Sequence, residues 1–329
     1  MSGIRPNAHG VGIVHAPMIS FAPGAMAARA ASIAQMCLAE ARPSVQVMFS
    51  LRFLAGAVLA VVAGPGHPAQ AVRAGIIWWL VIVSIYLFNG ICDVREDRVN
   101  GSRRPIAQGR LSLPVAKWAT GCCAAAGLCG AVAAGGSARW LCPAMLLLGY
   151  LYSGQPGCLK RRPMGSPMCG LLAGMATYYA GYSAYTGGEP APSTGLIVFA
   201  AAMSLWIAVA GSMSKDLSDI AGDAAAGRRT LAAVRGDQPV RIALAAAAPA
   251  VAMTFLAVAC TVTPQLVPPA ATAGIGAAVL SAASMSDRSR GCRQRRRLPY
   301  RAFMVTQYGV HLCLIVSIAG RYAGHVMSH

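Results

Sequence analysis

The chain has 329 residues, of which 56% are hydrophobic and only 12% are charged. Soluble domains carry about 25% charged residues, so this composition, with a mean hydropathy of +0.54, excludes an ordinary soluble domain and predicts a polytopic membrane protein. The net charge of +18 does not indicate nucleic-acid binding, because the basic residues lie in short clusters between apolar stretches, as in basic cytoplasmic loops.

Nine apolar stretches come close to the length of about 20 residues that a membrane-spanning helix needs. In chain order the predicted spans are Pro43–Gly64, Ala71–Cys92, Pro114–Gly135, Ser137–Ser153, Gly165–Thr186, Thr194–Met213, Pro239–Thr261, Gln265–Ser284 and Ala302–Gly320. The sequence therefore predicts an all-α fold, a membrane bundle of nine transmembrane helices over residues 43–320. We expect residues 1–42 to form a cytoplasmic tail with a short interfacial helix around Ala25–Ala41, and residues 321–329 a short C-terminal tail.

The loops between the predicted spans alternate in charge. The loops after the second, fourth, sixth and eighth spans are rich in Arg and Lys, whereas the other loops contribute almost only Arg73 and Arg139. The positive-inside rule places the basic loops and the N-terminus in the cytoplasm, and the C-terminus outside. A composition rich in Ala and Gly, with more Arg than Lys, favours a GC-rich bacterial genome and therefore a bacterial plasma membrane.

Six of the ten acidic residues fall in two short stretches at the cytoplasmic ends of predicted spans. The first contains Asn89, Asp93, Glu96 and Asp97, with Asn89, Asp93 and Asp97 spaced i, i+4, i+8. The second contains Asp216, Asp219 and Asp223, spaced i, i+3, i+7. Either spacing keeps its side chains on one helical face. We therefore expect two similar helical halves that face a central cavity opening to the cytoplasm.

Carboxylates at membrane depth are costly and usually functional. Three on one face repel each other unless a cation lies between them. An all-oxygen ligand set without His or Cys favours Mg²⁺, which is usually held by one or two carboxylates together with substrate phosphates. A diphosphate with a hydrocarbon tail would suit this site and the apolar bundle. Its remaining charge would be neutralised by nearby basic residues, namely Arg103, Arg104, Lys160, Lys215, Arg228 and Arg229.

Loss of diphosphate from an allylic chain leaves a carbocation, which aromatic faces stabilise by cation–π attraction. Packing in the protein core or at an interface is the alternative role for aromatic residues in this region. The candidates for the cavity lining are Tyr150, Tyr152, Tyr178, Tyr179, Tyr182 and Trp206.

The two acidic stretches and the loop between them resemble the motifs of the UbiA superfamily of intramembrane prenyltransferases. The first resemblance runs over Asn89-x3-Asp93-x3-Asp97, Asn100, Arg104-Pro105-Ile106-Ala107, Gly109-Arg110 and Leu111-Ser112. The second runs over Lys215-Asp216-Leu-Ser-Asp219-Ile-Ala-Gly222-Asp223 and Gly227-Arg228-Arg229-Thr230-Leu231. Between them, Tyr152-Ser153, Pro156 and Leu159-Lys160-Arg161-Arg162 are similar to the family's tyrosine-to-lysine loop. The motifs occur in the family's order, and the resemblance covers about residues 42–320.

The resemblance implies an enzyme that transfers a prenyl group from an isoprenoid diphosphate to a hydrophobic or aromatic acceptor, with Mg²⁺ as cofactor. It implies one metal ion held by Asn89, Asp93 and Asp97, and a second held by Asp216, Asp219 and Asp223. It places the diphosphate on Arg104, Lys160, Lys215 and Arg228, and it places Tyr152 and Ser153 between donor and acceptor. The implied catalytic residues are Asp93, Asp97, Asp216, Asp219, Tyr152 and Ser153.

Arg52, a lone charge in the first span, is similar to a family arginine placed near the acceptor, although an internally paired charge explains it equally well. The sequence also departs from the family. Position 90 is Gly where many members carry Asp, and position 221 is Ala where relatives of the homogentisate and archaeal-lipid type often carry Glu. The Arg293–Arg297 cluster is expected to serve only as a cytoplasmic anchor to anionic lipid.

Three functions remain open from the sequence. The first is transfer of a prenyl group to an aromatic or quinone-precursor ring. The second is a UbiA-type terpene cyclase, which would ionise the same donor at the same metal site but needs no polar anchor such as Arg52. The third is a transporter, which predicts charges deep within broken helices. The acidic residues here lie at span ends beside basic residues suited to phosphate, which disfavours transport.

Overall fold

The structure, a computed structural model, describes residues 23–188, 191–225 and 227–327, and over these residues the chain is helical with no strand. The helices are α1 (Pro23–Glu40), α2 (Pro43–Ala63), α3 (Pro68–Cys92), α4 (Val94–Val99), α5 (Leu113–Ala134), α6 (Ala138–Ser153), α7 (Gly165–Thr186), α8 (Thr194–Trp206), α9 (Ser212–Ala225), α10 (Leu231–Arg235), α11 (Asp237–Val262), α12 (Val267–Met285), α13 (Arg293–Arg296) and α14 (Leu298–Met327). A π-helical turn, Ile207–Gly211, joins α8 to α9. The all-α expectation is confirmed.

The long helices form a closed circuit, which α2 and α7 divide into two halves by packing on each other across it. In chain order α2, α3, α5, α6, α7, α8, α11, α12 and α14 each contact the next, and α14 closes the circuit by packing on α2. One apolar core lies in the first half, around Phe53, Trp78 and Ile82. A second core lies in the other half, around Phe199 and Trp206. α7 contributes to both cores, so it lies at the junction of the two halves.

Seven helical segments of the described chain are long and apolar enough to cross a membrane. They are Pro43–Ala63, Pro68–Cys92, Leu113–Ala134, Thr194–Ala225, Asp237–Val262, Pro264–Met285 and Arg293–Arg321. The other two predicted spans are helices as well, but α6 has only 16 residues and α7, with 22, is rich in Gly, Ser and Tyr. Length and composition therefore identify an integral membrane bundle and bear out seven of the nine predicted spans within the described residues.

Both tails are helical where they are described. α1 covers most of the interfacial helix expected around Ala25–Ala41, and residues 1–22 of the expected tail lie outside the described residues. At the other end, α14 continues past Gly320 to Met327, so most of the expected C-terminal tail prolongs the last helix. α1 packs against α2 and α3, which brings the N-terminal segment close to the first acidic motif.

α2 and α7 approach each other closely where each carries glycine. A Cβ added at Gly56 would lie 2.0 Å from the carbonyl oxygen of Tyr178, and one added at Gly181 would lie 1.9 Å from the carbonyl oxygen of Phe53. These neighbours are backbone atoms, which cannot turn aside as a flexible side chain can. Small residues permit this kind of close approach between membrane helices.

We therefore expect Gly181→Ala to lower the free energy of unfolding by about 1–3 kcal/mol, as overpacking of a filled interior does. The measurement is the midpoint of thermal unfolding of the purified protein in detergent. Gly121→Ala in α5 is the matched control, because nothing lies within 4 Å of the Cβ that it would add. Equal midpoints for the two variants would contradict the close packing of α2 on α7.

Candidate active site

The first acidic motif lies where α3 meets α4. The regular helix breaks at Asp93, but the Asp93 amide donates to the Asn89 carbonyl at 2.9 Å and the Asp97 amide donates to the Asp93 carbonyl at 2.8 Å. These bonds preserve the helical spacing of the three residues across the break. The Asn89 side chain donates to Ser153 Oγ at 2.9 Å, which ties the end of α3 to the end of α6.

The second acidic motif lies on α9, directly after the π-helical turn Ile207–Gly211. Such turns insert one extra residue into a helix and occur frequently at functional sites. Asp216, Asp219 and Asp223 follow on one face of regular α-helix, and α9 packs against α4 of the first motif. The fold therefore brings the two halves of the chain together at their acidic motifs.

Arg228 joins the two motifs. Its Nη2 donates to Asp93 Oδ1 at 2.9 Å and to Glu96 Oε2 at 2.5 Å, and its Nη1 donates to Asp223 Oδ1 at 3.4 Å. Asp93 and Glu96 belong to the first motif and Asp223 to the second. One guanidinium group therefore contacts carboxylates from both halves of the chain.

Lys160, from the loop after α6, is buried and donates to Asp93 Oδ1. Burial would raise the pKa of Asp93, but the nearby Glu96 side chain and the charges of Lys160 and Arg228 outweigh it and hold that pKa well below its usual range. Burial and the nearby Asp93 carboxylate raise the pKa of Glu96 to about 7. Asp93 is therefore ionised near neutral pH, whereas Glu96 titrates close to neutral pH.

Arg104 supports the other carboxylate of the first motif. Its Nη1 donates to Asp97 Oδ2 at 2.9 Å. Its Nε lies 2.7 Å from Glu40 Oε1, a close ion pair without hydrogen-bond alignment. The sequence reasoning missed Glu40, which lies outside both motifs. The available signal was that Glu40 is the one acidic residue among residues 1–42.

Arg293 supports the second motif. Its Nη2 donates to Asp219 Oδ1 at 2.9 Å and its Nη1 donates to the Asn100 carbonyl at 2.7 Å. The expectation that the cluster Arg293–Arg297 serves only as a lipid anchor is therefore wrong for Arg293. The available signal was the excess of arginine in this loop over what membrane orientation alone requires.

A cavity of about 220 Å³ extends from the motifs into the bundle. Asn89, Tyr152, Lys215 and Asp216 line its end near the motifs. The Asp216 side chain makes no hydrogen bond or ion pair with any residue that the structure describes, unlike the side chains of the other aspartates of the two motifs. The mouth of this largely apolar cavity therefore carries one carboxylate without an ion-pair partner in the described chain, Asp216, next to Lys215.

Arg52 lies deeper on the cavity wall and is only 6% exposed. Its Nη2 donates to Gln307 Oε1 at 2.9 Å, and the guanidinium stands 4.9 Å from the centroid of the Phe49 ring. No carboxylate of the described chain pairs with it, and Arg52 Nε and Gln307 Nε2 are buried without a hydrogen-bond partner. A buried cation with spare donors is a suitable place for an anionic group.

Of the six aromatic residues expected to line the cavity, Tyr152 does so, with its hydroxyl 3.4 Å from Ser166 Oγ. Tyr178, Tyr182 and Trp206 are fully buried in the second core instead, where Tyr179 packs beside them, and exposed Tyr150 donates to a loop carbonyl. The expected lining is wrong for these five residues, because their helical faces turn away from the cavity. The other aromatic residues on the cavity wall are Phe49, Tyr86, Tyr300 and Phe303.

Within residues 23–188, 191–225 and 227–327, no three His, Cys, Asp or Glu side chains converge closely enough to hold a metal ion by themselves. Most of the motif carboxylates are paired with Lys160, Arg104, Arg228 or Arg293 instead. The donor set nevertheless suits Mg²⁺, since its ligands are oxygens and substrate phosphates usually complete its coordination. Arg228 Nε is buried without a partner, as expected of a group that awaits a phosphate oxygen.

The fold and site together define an all-helical membrane protein with acidic and basic groups suited to a phosphorylated substrate. Residues 50–306 match the model of the UbiA prenyltransferase family, and the chain belongs to that family. It is therefore an integral membrane prenyltransferase, as the resemblance of its motifs implied.

Two relatives share its sequence over most of their length. A digeranylgeranylglyceryl phosphate synthase of Methanoculleus marisnigri is 32% identical over 223 residues, which cover 65% of this chain and 74% of the relative. The enzyme of the same name from Methanopyrus kandleri is 30% identical over 201 residues, which cover 60% of this chain and 68% of the relative. Both relatives are archaeal prenyltransferases.

Solved structures share the fold at low sequence identity. A UbiA homologue of Archaeoglobus fulgidus bound to DMAPP and Mg²⁺ has a TM-score of 0.60 at 18% identity, over 84% of this chain and 99% of that one. The apo UbiA homologue of Aeropyrum pernix K1 has a TM-score of 0.60 at 21% identity, over 82% and 96%. The bundle architecture is therefore that of UbiA homologues.

Proposed function

We propose that this prenyltransferase moves a prenyl group from an isoprenoid diphosphate to an anionic aromatic or quinone-precursor acceptor within the membrane, with Mg²⁺ as cofactor. The observation that carries the proposal is the contact of Arg228 with both acidic motifs at the mouth of an apolar cavity. A diphosphate needs cations at one end, and its hydrocarbon chain needs an apolar space at the other. This cavity has both.

The metal ligands of the proposal are the residues named from the sequence. Asn89, Asp93 and Asp97 would hold one Mg²⁺, and Asp216, Asp219 and Asp223 of the second motif would hold another. When bound, Mg²⁺ neutralises the diphosphate and stabilises it as a leaving group. The Archaeoglobus fulgidus homologues, which were solved with Mg²⁺ and with DMAPP or GPP, support the use of Mg²⁺ and a prenyl diphosphate.

Four basic side chains bind the diphosphate in this proposal, namely Arg104, Lys160, Lys215 and Arg228. Lys160, Arg104 and Arg228 already lie at the site through their contacts with motif carboxylates, and Lys215 lines the cavity. Charge-assisted hydrogen bonds from Arg and Lys to phosphate oxygens are strong, and the planar Arg side chain can also fix the orientation of the phosphate. The group therefore places the leaving diphosphate at the cavity mouth.

In the transfer step the bond between C1 of the prenyl chain and the diphosphate oxygen breaks, and the oxygen leaves with the electron pair. Positive charge develops on the allylic carbon, where the nearby Tyr152 and Tyr300 rings offer electron-rich faces. The acceptor then forms a bond to C1 and loses a proton, which the departing diphosphate accepts. Ser153, which is bonded to Asn89, keeps the ends of α3 and α6 together beside this reaction.

All nine long helices cross the membrane in this proposal, including α6 and α7. The end of α6 reaches the active site, because Ser153 contacts Asn89. The end of α7 reaches the opposite side, where the carbonyl of Tyr185 accepts a hydrogen bond from the His67 amide at the start of α3. The positive-inside rule then turns the active site and the N-terminus to the cytoplasm. The composition, rich in Ala and Gly with more Arg than Lys, supports a bacterial plasma membrane as its location.

The acceptor carries an anionic group in this proposal, because Arg52 and Gln307 offer unpaired donors inside the cavity. The aromatic wall that includes Phe49 suits an aromatic acid. The second candidate is a prenylated glyceryl phosphate, which the names of the two archaeal relatives support. Both acceptors bring an anion to Arg52, whereas a terpene cyclase has no use for this site.

The test is an assay of the purified protein in nanodiscs with Mg²⁺ and geranyl, farnesyl or geranylgeranyl diphosphate. Each donor is supplied alone, with 4-hydroxybenzoate, and with geranylgeranylglyceryl phosphate. We expect diphosphate release to depend on an acceptor, and the product identifies which acceptor class is used. A cyclic terpene formed without any acceptor would overturn the proposal in favour of the cyclase.

Arg52→Gln is expected to raise the KM for the acceptor by about 10- to 100-fold, since a hydrogen bond to a charged group contributes about 1.5–3 kcal/mol. The KM for the donor is expected to change little, because Arg52 lies away from the motifs. Arg139→Gln is the control, because Arg139 lies at the start of α6, at the end of that helix away from the active site. If Arg52→Gln raised the KM for the donor and left the KM for the acceptor unchanged, the assignment of Arg52 to the acceptor would be contradicted.

A further inference from the structure

The N-terminal helix α1 docks beside the first motif through an apolar face. Cys37 and Ala41 are buried in a small core with Val83 and Leu87 of α3, and Ile33 packs against this core. The docked helix ends at Glu40, whose side chain is fully buried. A fully buried carboxylate is costly unless it is paired and hydrogen-bonded, so its partners determine its role.

The Glu40 carboxylate is held on both oxygens. Oε1 lies 2.7 Å from Arg104 Nε, and Oε2 accepts from the backbone amide of Ile106 at 2.9 Å. The Glu40 carbonyl also accepts from Arg104 Nη2 at 3.0 Å. Arg104 in turn donates through Nη1 to Asp97 Oδ2 at 2.9 Å. A continuous chain of contacts therefore connects α1 to a carboxylate of the first motif.

The space that Glu40 occupies exists because residue 90 has no side chain. A Cβ added at Gly90 would lie 2.2 Å from Glu40 Oε1 and 2.5 Å from Arg104 Nη2. Gly90 directly follows Asn89, one of the proposed metal ligands. A carboxylate carried by residue 90 and the carboxylate of Glu40 would therefore compete for the same space beside Arg104.

We propose that Glu40 is a positioning residue for the metal and diphosphate site, and that α1 supplies through it the buried carboxylate for which Gly90 leaves room. Glu40 fixes the Arg104 guanidinium so that Nη1 stays directed at Asp97. The proposal rests on the proposed function, because it assigns Asp97 and Arg104 to that site. The N-terminal helix α1 therefore contributes a side chain that positions Arg104 in the active site.

The test compares Glu40→Gln, Gly90→Asp and the double variant Glu40→Ala/Gly90→Asp. Mn²⁺ is the probe, and its binding is followed by the loss of the free-ion EPR signal with geranylgeranyl thiolodiphosphate present. We expect Glu40→Gln and Gly90→Asp each to weaken Mn²⁺ binding by about 10- to 100-fold, as loss of a partner behind a metal ligand does. The double variant, which carries the carboxylate on α3 instead, is expected to bind more tightly than either single variant.

Ile33→Ala is the control, because it trims the apolar packing of α1 and leaves the Glu40 side chain itself unchanged. The thermal midpoint of every variant is recorded beside its Mn²⁺ affinity. Equal Mn²⁺ affinity for the wild type and Glu40→Gln would overturn the positioning role of Glu40 and leave the proposed function standing. A double variant no better than Gly90→Asp would overturn the shared space, and absence of binding by the wild type would instead overturn the proposed function.

Discussion

Replacing Asp216 by asparagine is expected to reduce the rate of prenyl transfer by about 100-fold or more, the range found when one preorganised electrostatic group is removed from an active site. The physical reason is the position of this carboxylate. It lines the cavity mouth beside Lys215, and no ion pair within the described chain competes for it. Asparagine keeps the shape of the side chain and removes the charge that a divalent cation needs.

The measurement is the initial rate of product formation across a range of Mg²⁺ concentrations, together with the thermal midpoint of the variant. The loss is expected at every Mg²⁺ concentration, with little change in the midpoint, because Asp216 is not tied to the rest of the fold. Asp287→Asn makes the same chemical change at a side chain that is 96% exposed and serves as the control. Wild-type rates for Asp216→Asn would remove this residue from the metal site.

The second large effect is expected at Arg228. Arg228→Ala leaves Asp93, Glu96 and Asp223 buried without the cation that they share, and breaking a buried pair in this way costs on the order of 3–5 kcal/mol. We therefore expect a lower thermal midpoint and almost complete loss of prenyl transfer. Lysine restores the charge but not the planar fork that contacts both motifs, so Arg228→Lys is expected to recover stability only in part.

The matched control for Arg228 is the next residue in the chain. Arg229 is exposed and makes no ion pair in the described structure, so Arg229→Ala is expected to leave the midpoint near that of the wild type. Midpoints are compared in detergent without Mg²⁺, where no added cation compensates the carboxylates. If Arg228→Ala and Arg229→Ala had the same thermal midpoint, Arg228 would not be the group that joins the motifs.

Local spacing in the sequence was enough to find both acidic motifs. Asp93 and Asp97, like Asp216 and Asp223, stay on one face because hydrogen bonding between neighbouring turns holds helical spacing even across the break at Asp93. Hydropathy was likewise enough to find the helices, because each long apolar stretch had to be helical in a bilayer. Features determined within one or two helical turns were therefore predictable.

Features determined by packing between distant segments were not predictable from spacing. Glu40 and Arg293 reach the motifs only because α1 and α13 fold onto them. A lone acidic residue and an excess of arginine are visible in the sequence, but neither signal identifies the motif residue that is contacted. The prediction that the tyrosines of α7 line the cavity was wrong for the same reason. Tyr178 and Tyr182 turn toward the second core, and the rotation of a helix within a bundle depends on all of its neighbours.

The most direct test of the central claim, that the two motifs form one Mg²⁺-dependent diphosphate site, is binding of geranylgeranyl thiolodiphosphate to the protein in nanodiscs. Binding is measured with and without Mg²⁺ for the wild type, Asp93→Asn and Asp216→Asn. We expect tight binding that requires Mg²⁺ and is lost when either motif is changed alone. Binding that is independent of Mg²⁺, or that survives the loss of one motif, would contradict the account.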